Sequence, residues 1–229
     1  MKEIKKGKLI VLEACDGSGK ATQTKKLYER LILEGYDVLK VEYPDYESDS
    51  SALIKMYLNG EFGDKPEDVN AYTASTFYAV DRYASFKKHW KSFYDRGGII
   101  LADRYTTSNM VHQAAKIDNV EEKNKFLNWL WDLEFNLMEL PVPDIVIFLN
   151  MPPEYSKELI FNRKNKFTGE DEKDIHEKNE EYLVHSYKNA CDIAEKYNWE
   201  QINCISKGNI KTIDDIHEEV YEAIIKKLQ

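Results

Sequence analysis

Hydrophobic residues in this chain follow two rhythms. Short unbroken apolar runs predict strands at Leu9–Ala14, Val38–Tyr43, Ile99–Ala102 and Ile145–Leu149, with a weaker candidate at Gln201–Ile205. Most are continuous rather than alternating, the pattern of parallel strands covered on both faces. Longer segments with helical spacing lie between them, at about Lys20–Glu34, Ser50–Leu58, Val69–Tyr94, Val120–Glu139, Pro153–Arg163, Lys178–Tyr197 and Thr212–Lys227. In the last, Ile213, Ile216, Val220, Ile224 and Leu228 recur at the period of a helix face. Alternating β and α units predict an α/β fold with a parallel sheet and right-handed crossovers. No internal repeat and no linker rich in Pro, Gly or Ser interrupts the series, so residues 1–229 read as one domain. Arg163–Lys178 is almost wholly polar and reads as a solvated loop or a lid.

Composition narrows the picture. The 229 residues carry 41 acidic against 32 basic side chains, a net charge of −9. That balance argues against a general nucleic-acid surface, which must neutralise phosphates with basic residues. Only five of the bases are Arg: Arg30, Arg82, Arg96, Arg104 and Arg163. A chain that uses Lys for solubility can keep Arg where a planar, bidentate fork is needed. An A+T-rich genome would explain the ratio equally well, but not the positions. No run approaches the ~20 apolar residues of a membrane span. The opening MKEIKKGKLIVLEA meets Glu13 too soon for a signal peptide. Three cysteines without metal spacing suit a reducing compartment, and a cytoplasmic protein is expected.

The first strand runs into Cys15-Asp16-Gly17-Ser18-Gly19-Lys20, and an amphipathic helix follows. In that context successive backbone N–H groups cradle a phosphate. Lys20 would reach the terminal phosphates. The strict G-x-x-x-x-G-K-[ST] pattern fails at both ends: Ala14 replaces the first Gly and Ala21 the Mg²⁺-binding hydroxyl. Thr22 lies one residue on, turned about 100° around the helix. The intact Gly-Ser-Gly-Lys core still favours a phosphate loop over an ordinary strand–helix turn, and G-x-G-x-x-G is absent.

Several further motifs, in order, resemble those of the thymidylate kinases, and the chain looks like a divergent bacterial-type member. Asp103-Arg104-Tyr105-Thr106-Thr107-Ser108-Asn109-Met110-Val111-His112-Gln113 is similar to the family's D-R-Y-x-x-S-x-x-A-Y-Q. Phe77-Tyr78-Ala79-Val80-Asp81-Arg82 resembles L-F-x-A-D-R. Pro143-Asp144 through Pro152-Pro153 resembles P-D-L-x-x-x-L-D-V-P-P. The resemblance implies a P-loop NTPase three-layer sandwich. Its five-stranded parallel sheet, order 2-3-1-4-5, would be flanked by helices, with a short lid at about 163–178. It implies transfer of the ATP γ-phosphoryl group to dTMP, giving dTDP for dTTP synthesis, with Mg²⁺ bound to ATP. A homodimer is also implied, with no nucleic-acid polymer and no membrane as partner.

The same resemblance distributes roles. Asp16, Gly17, Ser18, Gly19, Lys20, Ala21 and Thr22 would bind ATP. Arg104 would hold the acceptor phosphate through paired N–H···O bonds, and Asp103 would reach Mg²⁺ through water, although an Asp there could equally cap the next helix. Tyr78 would stack on thymine and Arg82 would bond the base edge, since residues four apart share a helix face. Their alternative is a core aromatic beside a surface ion pair. Ser108, Asn109 and Gln113 would contact the base. Asp16 would approach the sugar 3′-hydroxyl or simply shape the loop. Arg163, Lys164 and Lys166 would be the basic part of the lid, with Arg163 the catalytic cation. Arg30 and Arg96 fall outside every motif.

The departures define the alternatives. Tyr46 stands where the family's F-P-x-R has Arg, and Lys55 is a candidate replacement cation. His112 replaces a Tyr near the sugar, and Asn150 replaces an Asp. A same-fold kinase with another nucleotide or nucleoside acceptor, or a non-catalytic nucleotide-binding protein, would account for these changes as well.

Overall fold

A computed structural model of the chain describes residues 6–156 and 180–228. Its elements run β1 (Lys8–Glu13), α1 (Lys20–Leu33), β2 (Val38–Glu42), α2 (Ala52–Leu58), α3 (Ala71–Ser85), α4 (Lys91–Asp95), β3 (Ile99–Asp103), α5 (Thr106–His112) and α6 (Val120–Trp131). They continue with β4 (Ile145–Asn150), α7 (Glu180–Lys196), β5 (Glu200–Asn203), the short strands β6 (Ile205–Ser206) and β7 (Asn209–Ile210), and α8 (Ile213–Leu228). All five main strands are parallel, in the expected order β2-β3-β1-β4-β5. The segment 163–178 lies outside the described residues.

The continuous apolar runs become strands because both sheet faces are covered. Ile10 and Leu12 of β1 point to one layer, where they meet Leu27 and Leu31 of α1 and Ile216, Val220 and Ile224 of α8. Leu9 and Val11 point to the other, toward Phe86, Trp90 and Tyr105. Phe148 of β4 faces a third cluster with Val111 of α5, Phe126 of α6 and Ala190 of α7. Successive strand side chains alternate faces, so each run must be apolar throughout.

Two helices are not uniformly α-helical. The segment beginning at α3 passes through a π-helical turn at Phe86–Trp90 into α4, and α6 continues as a π-helical turn over Asp132–Leu137. A π-turn winds one extra residue into the helix, and such turns often lie near functional sites. Thr106–His112 was not among the expected helices. Its residues TTSNMVH have weak helix propensity, and packing decides the outcome: six of the seven are buried. Asn189 on α7 fixes its far end, donating to the carbonyls of Met110 (2.8 Å) and Val111 (2.7 Å). Tyr182 adds a bond from its hydroxyl to the His112 carbonyl at 3.0 Å.

Candidate active site

The carboxyl ends of β1 and β3 lie side by side, with Leu12 paired to Asp103. Crevices outside the carboxyl ends of parallel strands are where open α/β sheets bind ligands. From β1 the chain turns through Gly17 and Gly19, at φ 75° and 80°, conformations that a side chain would strain. Ser18 closes the turn with a 2.7 Å bond to the Cys15 carbonyl. Gly19 then caps α1, whose first amides have no partner within the helix and carry its positive dipole end. Lys20 is buried and ion-paired with Asp103 at the end of β3. Ala21 and Thr22 are exposed on the first turn.

Arg104, one residue past Asp103, has a left-handed backbone at φ 68°. That turn sends its guanidinium over the phosphate loop, where Nη2 meets Asp16 at 2.5 Å. Nη1 has four acceptors within 3.1–3.4 Å: Glu13, the Ala14 carbonyl, Ser108 and His112. Arginine has no acceptor to offer, so His112 Nε2 must accept and its proton lies on Nδ1. Burial first, and the Arg104 charge second, push the His112 imidazole down to about 4. The neighbouring carboxylates raise the already high pKa of Arg104, against the opposing effect of burial.

Eight of the expected acceptor residues line one cleft of about 80 Å³: Asp16, Tyr46, Tyr78, Arg104, Ser108, Asn109, His112 and Gln113. Gln113 brings a buried side-chain oxygen that has no hydrogen-bond partner among the described residues. Lys55 does not line the cleft. Its ammonium is tied to the Tyr46 carbonyl at 3.1 Å, so it tethers the loop that carries Tyr46. Arg163, Lys164 and Lys166 lie outside the described residues.

Arg82 requires a correction. It was expected at the base edge, but it is fully buried and absent from the cleft lining. Its guanidinium grips Glu134 with two bonds, Nε to Oε2 at 2.7 Å and Nη2 to Oε1 at 2.5 Å. Glu134 lies on the second π-helical turn and also accepts from the Thr106 hydroxyl at 2.6 Å. The physical reason is solvation: a buried guanidinium needs a carboxylate, and Glu134 supplies one. The adjacent Asp81 accepts from the Asp45 amide (2.9 Å) and the Ser50 hydroxyl (2.5 Å), holding the loop beyond β2. The Asp81-Arg82 pair therefore braces two walls of the cleft.

Sequence reasoning also missed Glu13 and Glu134. Glu13 is wholly buried at the end of β1, and all its described partners donate to it.

Asp103 turns to Lys20 at the end of the glycine loop and Arg104 to the cleft, so one peptide bond separates the residues that face the two. On this sheet topology, that arrangement defines a P-loop nucleotide kinase. A family model described as thymidylate kinase matches residues 12–220. The chain belongs to the thymidylate kinase family, enzymes that phosphorylate dTMP to dTDP with ATP. It is 29% identical over 224 residues to the thymidylate kinase of Plasmodium falciparum (isolate 3D7), covering 97% of this chain and 91% of that protein. It is 29% identical over 147 residues to the human thymidylate kinase, covering 64% and 62%. A solved thymidylate kinase from Candida albicans superposes with a TM-score of 0.71 at 22% identity, covering 97% and 93% of the two chains. Among the described residues no helix is long and apolar enough to cross a membrane.

Glu134→Ala should leave Arg82 buried without its carboxylate and cost about 3–5 kcal/mol in urea unfolding, while Arg82→Met with Glu134→Leu should recover most of it. The depressed His112 pKa predicts acid sensitivity. Its stabilising contribution is complete above about 6.5, the unfolded value, and is lost as the pH falls toward about 4. Between pH 7 and 5 the wild type should lose about 2 kcal/mol more than His112→Asn, read from unfolding curves at both pH values.

Proposed function

We propose that this chain transfers the ATP γ-phosphoryl group to dTMP with its glycine loop and Lys20 on the donor side and Arg104 on the acceptor side. The observation that carries the reading is the Asp103-Arg104 step at the end of β3. Phosphoryl transfer proceeds through a loose transition state, so the protein's work is alignment and charge neutralisation. Two subsites fixed from adjacent residues suit an in-line transfer.

The amides of Gly17, Gly19 and the first turn of α1 donate to the β- and γ-phosphates, and Lys20 shifts from Asp103 onto the same oxygens. Arg104 exchanges Asp16 for the dTMP phosphate. Asp16 is then released toward the sugar, while Tyr78, Ser108, Asn109 and Gln113 enclose the base. His112, neutral at physiological pH, adds no charge to the cleft. Tyr46 offers a hydroxyl where a cation would otherwise stand.

The side chains present fit a cation delivered by ATP better than a protein-held metal. Ala21 lacks a hydroxyl, and among the described residues no three His, Cys, Asp or Glu side chains converge. Asp103 would hold Mg²⁺ through water. Bound there with ATP, Mg²⁺ would supply positive charge to offset the negative charge developing on the phosphates. Arg163, Lys164 and Lys166, which lie outside the described residues, are the candidates for a further cation at the transferred phosphate. The enzyme works as a single cytoplasmic domain paired into a homodimer.

Purified protein with ATP, Mg²⁺ and dTMP should release ADP in step with dTDP, and should favour dTMP over dUMP, UMP and CMP in a parallel panel. No ADP with any acceptor would refute the reading. Arg104→Ala should lower kcat/KM for dTMP by about 100-fold or more, because a buried charged contact to phosphate is lost. Chromatographic mass measurement should return a dimer.

A further inference from the structure

Glu13 does not line the acceptor cleft, yet it touches much of what builds it. Oε2 accepts from the hydroxyls of Thr107 and Ser108, both at 2.7 Å. Oε1 accepts from the Ala14 amide at 3.0 Å and lies 3.4 Å from Arg104 Nη1. Every described partner of this carboxylate is a hydrogen-bond donor, so its oxygens act as acceptors on all of these contacts. A wholly buried carboxylate would be costly without such partners.

We infer that Glu13 is the positioning residue for the acceptor phosphate. Three lines of geometry support this. First, it joins separate elements: β1 and the phosphate loop through Ala14, the end of β3 through Arg104, and the first turn of α5 through Thr107 and Ser108. Second, it stabilises a strained residue. Arg104 is not glycine, yet its backbone is left-handed, a conformation that persists only where its surroundings over-determine it. Glu13 holds the guanidinium, while the Leu12 carbonyl accepts from the Arg104 amide at 3.1 Å. Third, it sets the polarity of Ser108. That hydroxyl has one proton, and Glu13 takes it. Ser108 Oγ therefore accepts from Arg104 Nη1 at 3.3 Å and keeps one lone pair free to accept from a ligand.

Donor-phosphate binding uses Gly17, Gly19, Lys20 and the first turn of α1, and among the contacts described the Glu13 carboxylate reaches the loop only at the Ala14 amide, ahead of these groups. Loss of Glu13 should therefore separate the two substrates. This inference rests on the kinase reading above, so wild-type turnover of dTMP is measured first and by itself. If wild type phosphorylates no dTMP, the kinase reading fails.

With turnover in hand, Glu13→Gln keeps the shape but sets an amide N–H against one group of donors. It should raise the KM for dTMP by about tenfold or more and lower kcat, with the KM for ATP within about twofold. Thr107→Val removes one donor, leaves Glu13 in place, and should raise the dTMP KM by about threefold in a folded protein. Calorimetric titration of dTMP without ATP should show the same losses. The inference is overturned if both folded variants keep wild-type dTMP affinity, or if the two KM values rise together in step with lost stability. Should Glu13→Gln not fold, Thr107→Val decides alone.

Discussion

Two ion pairs across the carboxyl ends of β1 and β3 govern this site: Lys20 with Asp103, and Arg104 with Asp16. The strands end where apolar packing ends, and charge collects there because the sheet interior cannot hold it. Each cation has its own carboxylate, so the site is shaped before a ligand arrives. On the proposed reading, an incoming phosphate would exchange partners with Asp103 or Asp16 rather than fill a bare positive hole. Anions with too few oxygens to replace a carboxylate gain little from that exchange. This is how a chain of net charge −9 can handle two polyanionic substrates: attraction is local, and the remaining surface stays unattractive to long phosphate chains.

Much of this was legible in the sequence, for physical reasons that differ by residue. The strands were visible because burial on two faces demands unbroken apolar runs. The glycine loop was visible despite Ala14 and Ala21 because its central glycines need positive φ. Tyr78 and Arg104 could be placed because their motifs travel with a strand end or a helix face. Arg82 was misplaced because its partner Glu134 is 52 residues away, on a separate helix. A π-turn rotates that carboxylate inward, and no propensity scale reports one. Glu13 served in the sequence only as the charge that ended an apolar run. Its partners come from three elements that only the fold brings together. α5 was overlooked because its helicity comes from packing and from bonds donated by α7.

Arg82 and Arg104 show one residue type put to two uses. Both are held by carboxylates. Arg82 is sealed away, so its pair with Glu134 contributes rigidity behind the cleft. Arg104 keeps a path to solvent, with about a sixth of its side chain exposed. That difference in access, more than charge, separates a brace from a binding group. α7 extends the bracing from outside: its Asn189 fixes the carbonyls at the far end of α5, while Glu13 holds the hydroxyls at the near end. The short helix carrying three of the cleft residues is thus clamped at both ends.

The π-turn at Asp132–Leu137 also bears on how this chain can vary through descent. Such a turn is a one-residue insertion retained inside a helix. Deleting Leu133, just ahead of Glu134, would restore regular winding and swing Glu134 by about 100° relative to α6. Arg82 would then face the core with no counter-charge, and Thr106 would lose its acceptor. Insertions and deletions in this family should therefore accumulate in surface connections and avoid a helix that looks featureless in sequence. Where a relative has lost that residue, it should have lost the buried arginine as well.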